Sequence, residues 1–336
     1  MVSRVRFVAA DGEVREAHGF PARSPGPGWL EALLGSEGTL GVITDGTMRV
    51  HRIPERRVMR ALGFRSLRRG VHFMRELMST GIRPAVMRLY DPLDTIIARM
   101  SHGGGGGSIP PQLGAALKNA KDGGLSLALL RPAVFNALVE RIGSFLPSAV
   151  QMILIFEGRG TLPEGELSVA TSMALGQHGQ DLGAEPARSW LKRRYAVSFW
   201  QSKVFMRGAF SDTFEVSATW DRIMPMYQRV MTALGRRALV MAHFSHPYLQ
   251  GCSIYFTFAG RAQDDEAALR LYDSLWEDGL KAAQAAGGVI SHHHGIGMSK
   301  KGAMAAELGG ALEVLEALKS ALDPRHVMNP GKLLPD

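Results

Sequence analysis

The 336-residue chain is long enough for one large domain or two smaller ones, and its 46% hydrophobic and 21% charged content is that of an ordinary globular protein. Its formal charge of +8, from 39 basic and 31 acidic residues, favours anionic ligands; the basic residues are dispersed, with only short clusters such as Arg65–Arg69 and Lys192–Arg194, so no nucleic-acid surface is expected. A single cysteine, Cys252, excludes an intrachain disulfide, and no apolar run approaches the roughly 18–20 residues that span a bilayer.

The chain opens on an expected β-hairpin over residues 4–17, turned at Asp11-Gly12. A Pro/Gly-rich loop, Pro21 to Gly28, leads to a short helix, Trp29 to Leu34, that should end at Gly35. Next comes Gly35-Ser-Glu-Gly-Thr-Leu-Gly-Val-Ile-Thr44, followed by an expected strand pair, Leu40–Thr44 and Thr47–Ile53. From about residue 56 strands and helices alternate. Strands are expected at Val58–Phe64, Val86–Leu89, Leu125–Leu130, Val150–Phe156, Leu239–Phe244 and Cys252–Phe258. Helices are expected over 66–79, 111–119, 132–145, 165–178, 220–235, 263–286 and 311–322. The order suits an α+β fold, a sheet covered on one face by helices. Ser101 to Ser108, with five consecutive glycines, reads as a flexible loop and not a phosphate cradle, since no Lys-Ser/Thr follows the glycines. A chain that opens directly on a hairpin is expected to lack preceding core elements. Without an apolar leader or a peroxisomal C-terminus, a cytoplasmic location is expected.

Four segments have the residue types of a functional site. Gly35, Gly38 and Gly41 would let backbone amides approach a phosphate, with Ser36 and Thr39 adding hydroxyls; a plain structural turn would use the same glycines. In Cys252–Phe258 the strand period puts Ile254, Phe256 and Phe258 on an apolar face and Ser253, Tyr255 and Thr257 on a polar one. A tyrosine phenol there can donate, or act as a base beside cations. His292, His293 and His294 can bind an anion, relay a proton or ligate a metal. His243 and His246 could add ligands, but no acidic partner is near in sequence, so no metal is expected. In Thr213–Arg222, Ser217 or Thr219 could cap the following helix.

Taken together and in order, these segments resemble the vanillyl-alcohol-oxidase type of FAD enzymes, and within that group the alkyldihydroxyacetonephosphate synthases. The resemblance runs over nearly the whole chain and is anchored by Gly35–Thr44, Pro84–Asp91, Thr213–Arg222, Ile254–Phe256 and Gly287–Gly297. It implies the C-terminal edge of a PCMH-type FAD-binding domain (1–55) followed by a cap domain (56–336) with an antiparallel sheet covered by helices. It implies FAD contacts from Gly35, Ser36, Glu37, Gly38, Thr39, Gly41, Val42 and Ile43. Tyr255 would be the acid/base residue, with His293 and His294 beside the flavin; Arg88, Thr213 and His292 would face the substrate. The implied activity is exchange of acyl for alkyl on dihydroxyacetone phosphate, without net redox change, by a protein with a long FAD-binding half ahead of this region. The implied partners are a small phosphate or carboxylate substrate, possible in a lipid-like form, with peripheral membrane contact or a homodimer compatible.

A second branch, the FAD-dependent 2-hydroxy-acid dehydrogenases of the D-lactate or glycolate type, carries Ala-Glu-His where this chain has His292-His293-His294, and its glutamate ligates a metal. That branch also has a Gly-Asp-Gly-Asn stretch where this chain has His243 to Tyr248. Both departures favour the synthase branch. Against it, Gln201 and Ala17 stand where synthases carry arginines, with Lys203 or Arg207 as a substitute for the first. A non-catalytic, anion-binding cap is the remaining alternative.

Overall fold

A computed structural model describes residues 1–19, 26–101, 125–146, 148–195 and 209–334. Residues 102–108 of the glycine-rich loop, the helix expected over 111–119, and Gln201, Lys203 and Arg207 lie outside the described residues. Two compact units divide the chain: Met1–Ile53 with His293–Asp336, and Pro54–His292.

In the first unit, β1 (Val2–Val8) and β2 (Val14–His18) form the expected hairpin. Its turn is held locally: Gly12 takes φ +81°, and the Asp11 carboxylate accepts from the Glu13 amide at 2.9 Å. The expected strand pair after Gly41 is a single strand, β3 (Val42–Met48), on the other side of β1. Asp45-Gly46 does not turn there, because β1 offers a ladder across it; the register shift between Arg6 and Phe7 absorbs the misfit. Val5, Phe7 and Ala17 point inward with the strand period and meet Leu30 and Leu33 of α1 (Trp29–Leu33). Ala17, buried in this core, leaves no room for a long basic side chain.

The second unit is built on a seven-stranded sheet. Its strands are β4 (Arg56–Phe64), β5 (Val86–Tyr90), β6 (Val150–Gly158), β7 (Gln180–Asp181), β8 (Ala209–Thr219), β9 (Leu239–Ser245) and β10 (Gly251–Arg261). The order is β7-β4-β6-β5-β9-β10-β8, and every pair is antiparallel. One face is apolar, as the strand period requires. Ile254, Phe256 and Phe258 are fully buried there, Phe256 stacking on Phe214 with centroids 5.3 Å apart. Each such ring contributes roughly 2 kcal/mol by leaving water. Four helices cover this face: α2 (Leu67–Ser79), α6 (Leu162–Gly176), α8 (Ile223–Leu234) and α9 (Asp265–Ala285). Ser66 and Asp264 cap α2 and α9 by accepting from Arg69 and Ala267 amides, each cap worth about 1 kcal/mol.

Helices also cover parts of the opposite face, where one covered face was expected. They are α3 (Pro92–Ser101), α4 (Leu125–Leu130), α5 (Pro132–Phe145) and α7 (Glu185–Arg193). The cause is visible in β6, which is buried without alternation from Val150 to Phe156. Such a run needs apolar cover on both sides. Ala187 of α7 packs with Ile153 and Ile155, and Leu93 and Ile96 of α3 sit beside Met241.

Two further expectations fail. Leu125–Leu130, expected as a strand, is helix α4, which packs Ala128 and Leu129 on Ala209 and Leu239. A six-residue apolar run has no period that separates strand from helix. Neither Ser217 nor Thr219 caps α8: both lie in β8, and the Thr219 hydroxyl donates to Asp221 at 2.5 Å.

Candidate active site

The site is a row of polar side chains across the less apolar face of the large sheet. Residues directly opposite in an antiparallel ladder share a face. Glu215 of β8 pairs with Tyr255 of β10, Tyr255 with His243 of β9, and His243 with Tyr90 of β5. Arg88 lies two residues before Tyr90, on the same face. Thr213 and Ser217 flank Glu215 likewise, and Ser253 and Thr257 flank Tyr255. The hydroxyl row expected on β10 is therefore one column of a larger polar patch.

The Thr213 hydroxyl donates to the Tyr255 phenol oxygen at 3.0 Å. The His243 ring stacks on Tyr255, with centroids 4.7 Å apart and planes 20° apart. Arg88 Nη2 lies 3.0 Å from His243 Nδ1. A guanidinium only donates, so Nδ1 accepts and a neutral ring keeps its proton on Nε2. Burial pushes the His243 pKa down to about 4 and the Arg88 charge adds to that, against Asp94, whose carboxylate is 3.5 Å away. His243 is thus a neutral imidazole at physiological pH. The Arg88 guanidinium sits 5.2 Å above the Tyr90 ring, and its buried Nε has no hydrogen-bond partner among the described residues. A planar cation held this way can receive a phosphate or carboxylate. Just outside the row, burial raises the Asp91 carboxyl to about 8, although the amides of Asp94 and Ala242 and the Tyr227 hydroxyl all point at it.

His292 reaches the same face from a loop. After α9 ends, Gly287 takes φ +78°, and a Cβ on Gly288 would meet Met226 Sδ at 2.2 Å and the Ala283 carbonyl at 3.1 Å. The chain then bridges to β8 through two Ser217–Val289 backbone hydrogen bonds, of 3.1 and 2.8 Å. This delivers His292 Nδ1 to within 3.1 Å of Glu215 Oε1 and Nε2 to within 2.7 Å of the Tyr248 hydroxyl.

The other expected residues belong to the first unit. His293 and His294 are exposed, with ring centroids 4.7 Å apart. Ser36, Thr39 and Gly41 are buried, while Val42 and Ile43 are exposed on β3. Thr39 directs its hydroxyl to the Ser36 carbonyl at 2.6 Å. The Glu37 carboxylate accepts from the Ile296 and Gly297 amides, at 2.5 and 2.7 Å. The Ile296 and Gly297 amides are therefore engaged within the first unit. Sequence reasoning missed Asp94 and Glu215 and left His243 without a partner. The alternation of β8 places Glu215 with Thr213 and was the one signal available; the Asp94–His243 contact spans about 150 positions and had none.

The comparisons agree with this architecture. The family described as FAD linked oxidases, C-terminal domain, matches residues 53–333. The chain belongs to this family. FAD-linked oxidases bind FAD, and the glycine-rich segment of this chain fits a phosphate-bearing cofactor. Glu37 (φ +53°) and Gly38 (φ +77°) donate to no backbone carbonyl among the described residues, and no atom stands within 4 Å of where a Gly35 Cβ would be. The alkyldihydroxyacetonephosphate synthase of Trypanosoma brucei brucei is 27% identical over 90% of this chain and 48% of its own length. A probable mitochondrial D-lactate dehydrogenase of Danio rerio is 25% identical over 99% of this chain and 60% of its own. A solved alkyldihydroxyacetonephosphate synthase superposes with a TM-score of 0.65 at 19% identity, over 98% of this chain and 53% of that one. This member of the family therefore spans about half the length of the synthases it matches. Among the described residues no helix is long and apolar enough to cross a membrane.

Proposed function

We propose that this chain is the substrate-covering part of an FAD enzyme that exchanges the acyl group of an acyl dihydroxyacetone phosphate for a long-chain alcohol. Residues 1–55 would close the FAD-binding domain and residues 56–336 would form the cap. The observation that carries this reading is the Thr213–Tyr255–His243–Arg88 row. It places a phenol, a neutral imidazole and a guanidinium on one polar sheet face.

Arg88 would bind the substrate phosphate with its free edge. Tyr255 would take a proton from the substrate carbon and return it, its oxygen oriented by the Thr213 hydroxyl and its ring by the His243 stack. Because His243 stays neutral, it adds no second cation to repel Arg88. His292, held between Glu215 and Tyr248, would border the entering substrate, and His293 and His294 would line the flavin side. FAD, when bound at Gly35 to Ile43, supplies the electrophilic and electron-accepting ring. The likeness to synthases over nearly the whole chain supports this reading.

The test is incorporation of labelled hexadecanol into acyl dihydroxyacetone phosphate by the FAD-loaded protein. Tyr255→Phe should abolish exchange while the flavin spectrum persists. Exchange that survives in Tyr255→Phe overturns the role of the phenol. A second reading is oxidation of a 2-hydroxy acid, since Arg88 can clamp a carboxylate as well as a phosphate and the Danio rerio relative bears a lactate dehydrogenase name. Reduction of a dye acceptor by D-lactate, with no alcohol exchange, would select it.

A further inference from the structure

We propose that Glu215, His246 and His292 form a binding site for one divalent first-row cation of the zinc class, on the polar face beside Tyr255. The ligand atoms of these three side chains lie within 4.8 Å of one another. His292 Nδ1 is 3.1 Å and His246 Nδ1 is 4.0 Å from the same oxygen, Glu215 Oε1. Two ligands bound to one zinc ion at about 2.1 Å and a tetrahedral angle are about 3.4 Å apart. These two separations bracket that value and the third lies within 4.8 Å, so a small shift of His246 closes the set. That side chain is 48% exposed, whereas Glu215 is wholly buried in β8.

The surroundings suit such a role. Tyr248 holds His292 Nε2 at 2.7 Å and so fixes the ring with Nδ1 towards Glu215, whose carboxylate only accepts; Nδ1 therefore carries a proton that a bound cation displaces. His246 takes a left-handed backbone, φ +47°, an unusual conformation for histidine that aims its ring at His292, centroids 5.1 Å apart. Ser245 and Ser253 hydroxyls lie 3.1 and 3.2 Å from His246 Nδ1 and can rotate to donate elsewhere when that nitrogen binds an ion.

Two imidazoles and a carboxylate are the donor set of zinc, not of calcium or magnesium. Three protein ligands leave a coordination position open, as in sites that bind a water or a substrate oxygen. Glu215 is the direct cross-strand neighbour of Tyr255, so that position faces the polar row. The proposal stands independently of which reaction the FAD enzyme performs.

The test is titration of the EDTA-stripped full chain with zinc by calorimetry, and with cobalt, whose visible absorption reports a tetrahedral nitrogen and oxygen set. One equivalent should bind. His246→Asn, which suits the left-handed backbone, should weaken binding by at least about tenfold while the metal-free thermal midpoint stays unchanged. Glu215→Gln should do the same, and the distant His178→Ala should not. Absence of a stoichiometric cobalt spectrum in the unaltered chain overturns the site. Equal affinity in His246→Asn and the unaltered chain overturns it as well.

Discussion

The buried, neutral His243 makes the stability of the larger unit pH-dependent in a predictable direction. Its folded pKa is held at about 4, first by burial and then by Arg88, against an ordinary value of 6.5. Between those values the unfolded chain binds a proton that the folded chain does not, so stability is lost as pH falls from about 6.5 towards 4. That depression corresponds to roughly 3 kcal/mol at full development, and to about 2 kcal/mol between pH 7 and 4.5. The groups facing the ring are Arg88, Asp94, His246 and Tyr255. Asp91 acts in the opposite sense: with its carboxyl raised to about 8, it makes the fold lose stability as pH rises from about 4 to 8. Asp91 is unchanged in a His243→Gln variant, which keeps an acceptor for Arg88 but cannot titrate. Urea unfolding of both proteins in EDTA buffer, at pH 7 and pH 4.5, isolates the histidine. Tryptophan emission reports mainly the larger unit, since only Trp29 lies outside it. The unaltered chain should lose about 2 kcal/mol more than His243→Gln on acidification. Equal losses in the two proteins would refute a buried neutral imidazole and the Arg88 contact that depends on it.

Two further outcomes follow from single contacts. Thr213→Val removes the 3.0 Å hydrogen bond to the Tyr255 phenol and should lower turnover of the FAD-loaded enzyme about fivefold, the equivalent of about 1 kcal/mol, with the circular dichroism unchanged; an unaltered turnover would detach the threonine from the phenol. In the first unit Lys319 is buried against Asp323 and donates to the carbonyls of Thr39 and Met328, each at 2.8 Å. Burial opposes ionisation of Asp323, yet the Lys319 ammonium and the Met328 and Val327 amides hold its pKa at about 2. Lys319→Met should therefore cost about 3–5 kcal/mol at neutral pH, read through Trp29 in a chain whose other tryptophans are replaced by phenylalanine, and adding Asp323→Asn should restore part of it.

The fold was largely legible because most of its elements have a clear period. Ile254, Phe256 and Phe258 alternate with Ser253, Tyr255 and Thr257, and the sheet buries one set and presents the other to the site. Ser66 and Asp264 announce the starts of α2 and α9 by capping chemistry. Legibility failed where local chemistry is ambiguous. The Leu125–Leu130 run has no period, and Asp45-Gly46 would turn a hairpin if β1 did not pair across it. It failed also where partners are distant. Nothing near His243 in the chain indicates Arg88 or Asp94, because only the β5–β9 pairing brings them together.

The same limit governs the histidine run. Read as a sequence, His292, His293 and His294 are three equivalent groups without an acidic neighbour. The fold makes them inequivalent: His292 ends one unit, held between Glu215 and Tyr248, whereas His293 and His294 begin the other and are exposed. The carboxylate that sequence proximity could not supply comes from a strand 77 positions away, delivered by the Ser217–Val289 bridge two residues from Glu215. A ligand set assembled from β8, the β9–β10 turn and the loop after α9 has no spacing motif, since register, not sequence, fixes its geometry. Disrupting the bridge should therefore separate the two roles. Val289→Pro removes the amide that donates to Ser217 at 2.8 Å and should release His292 from Glu215, weakening cation binding, while the Thr213–Tyr255 contact within the sheet stays intact.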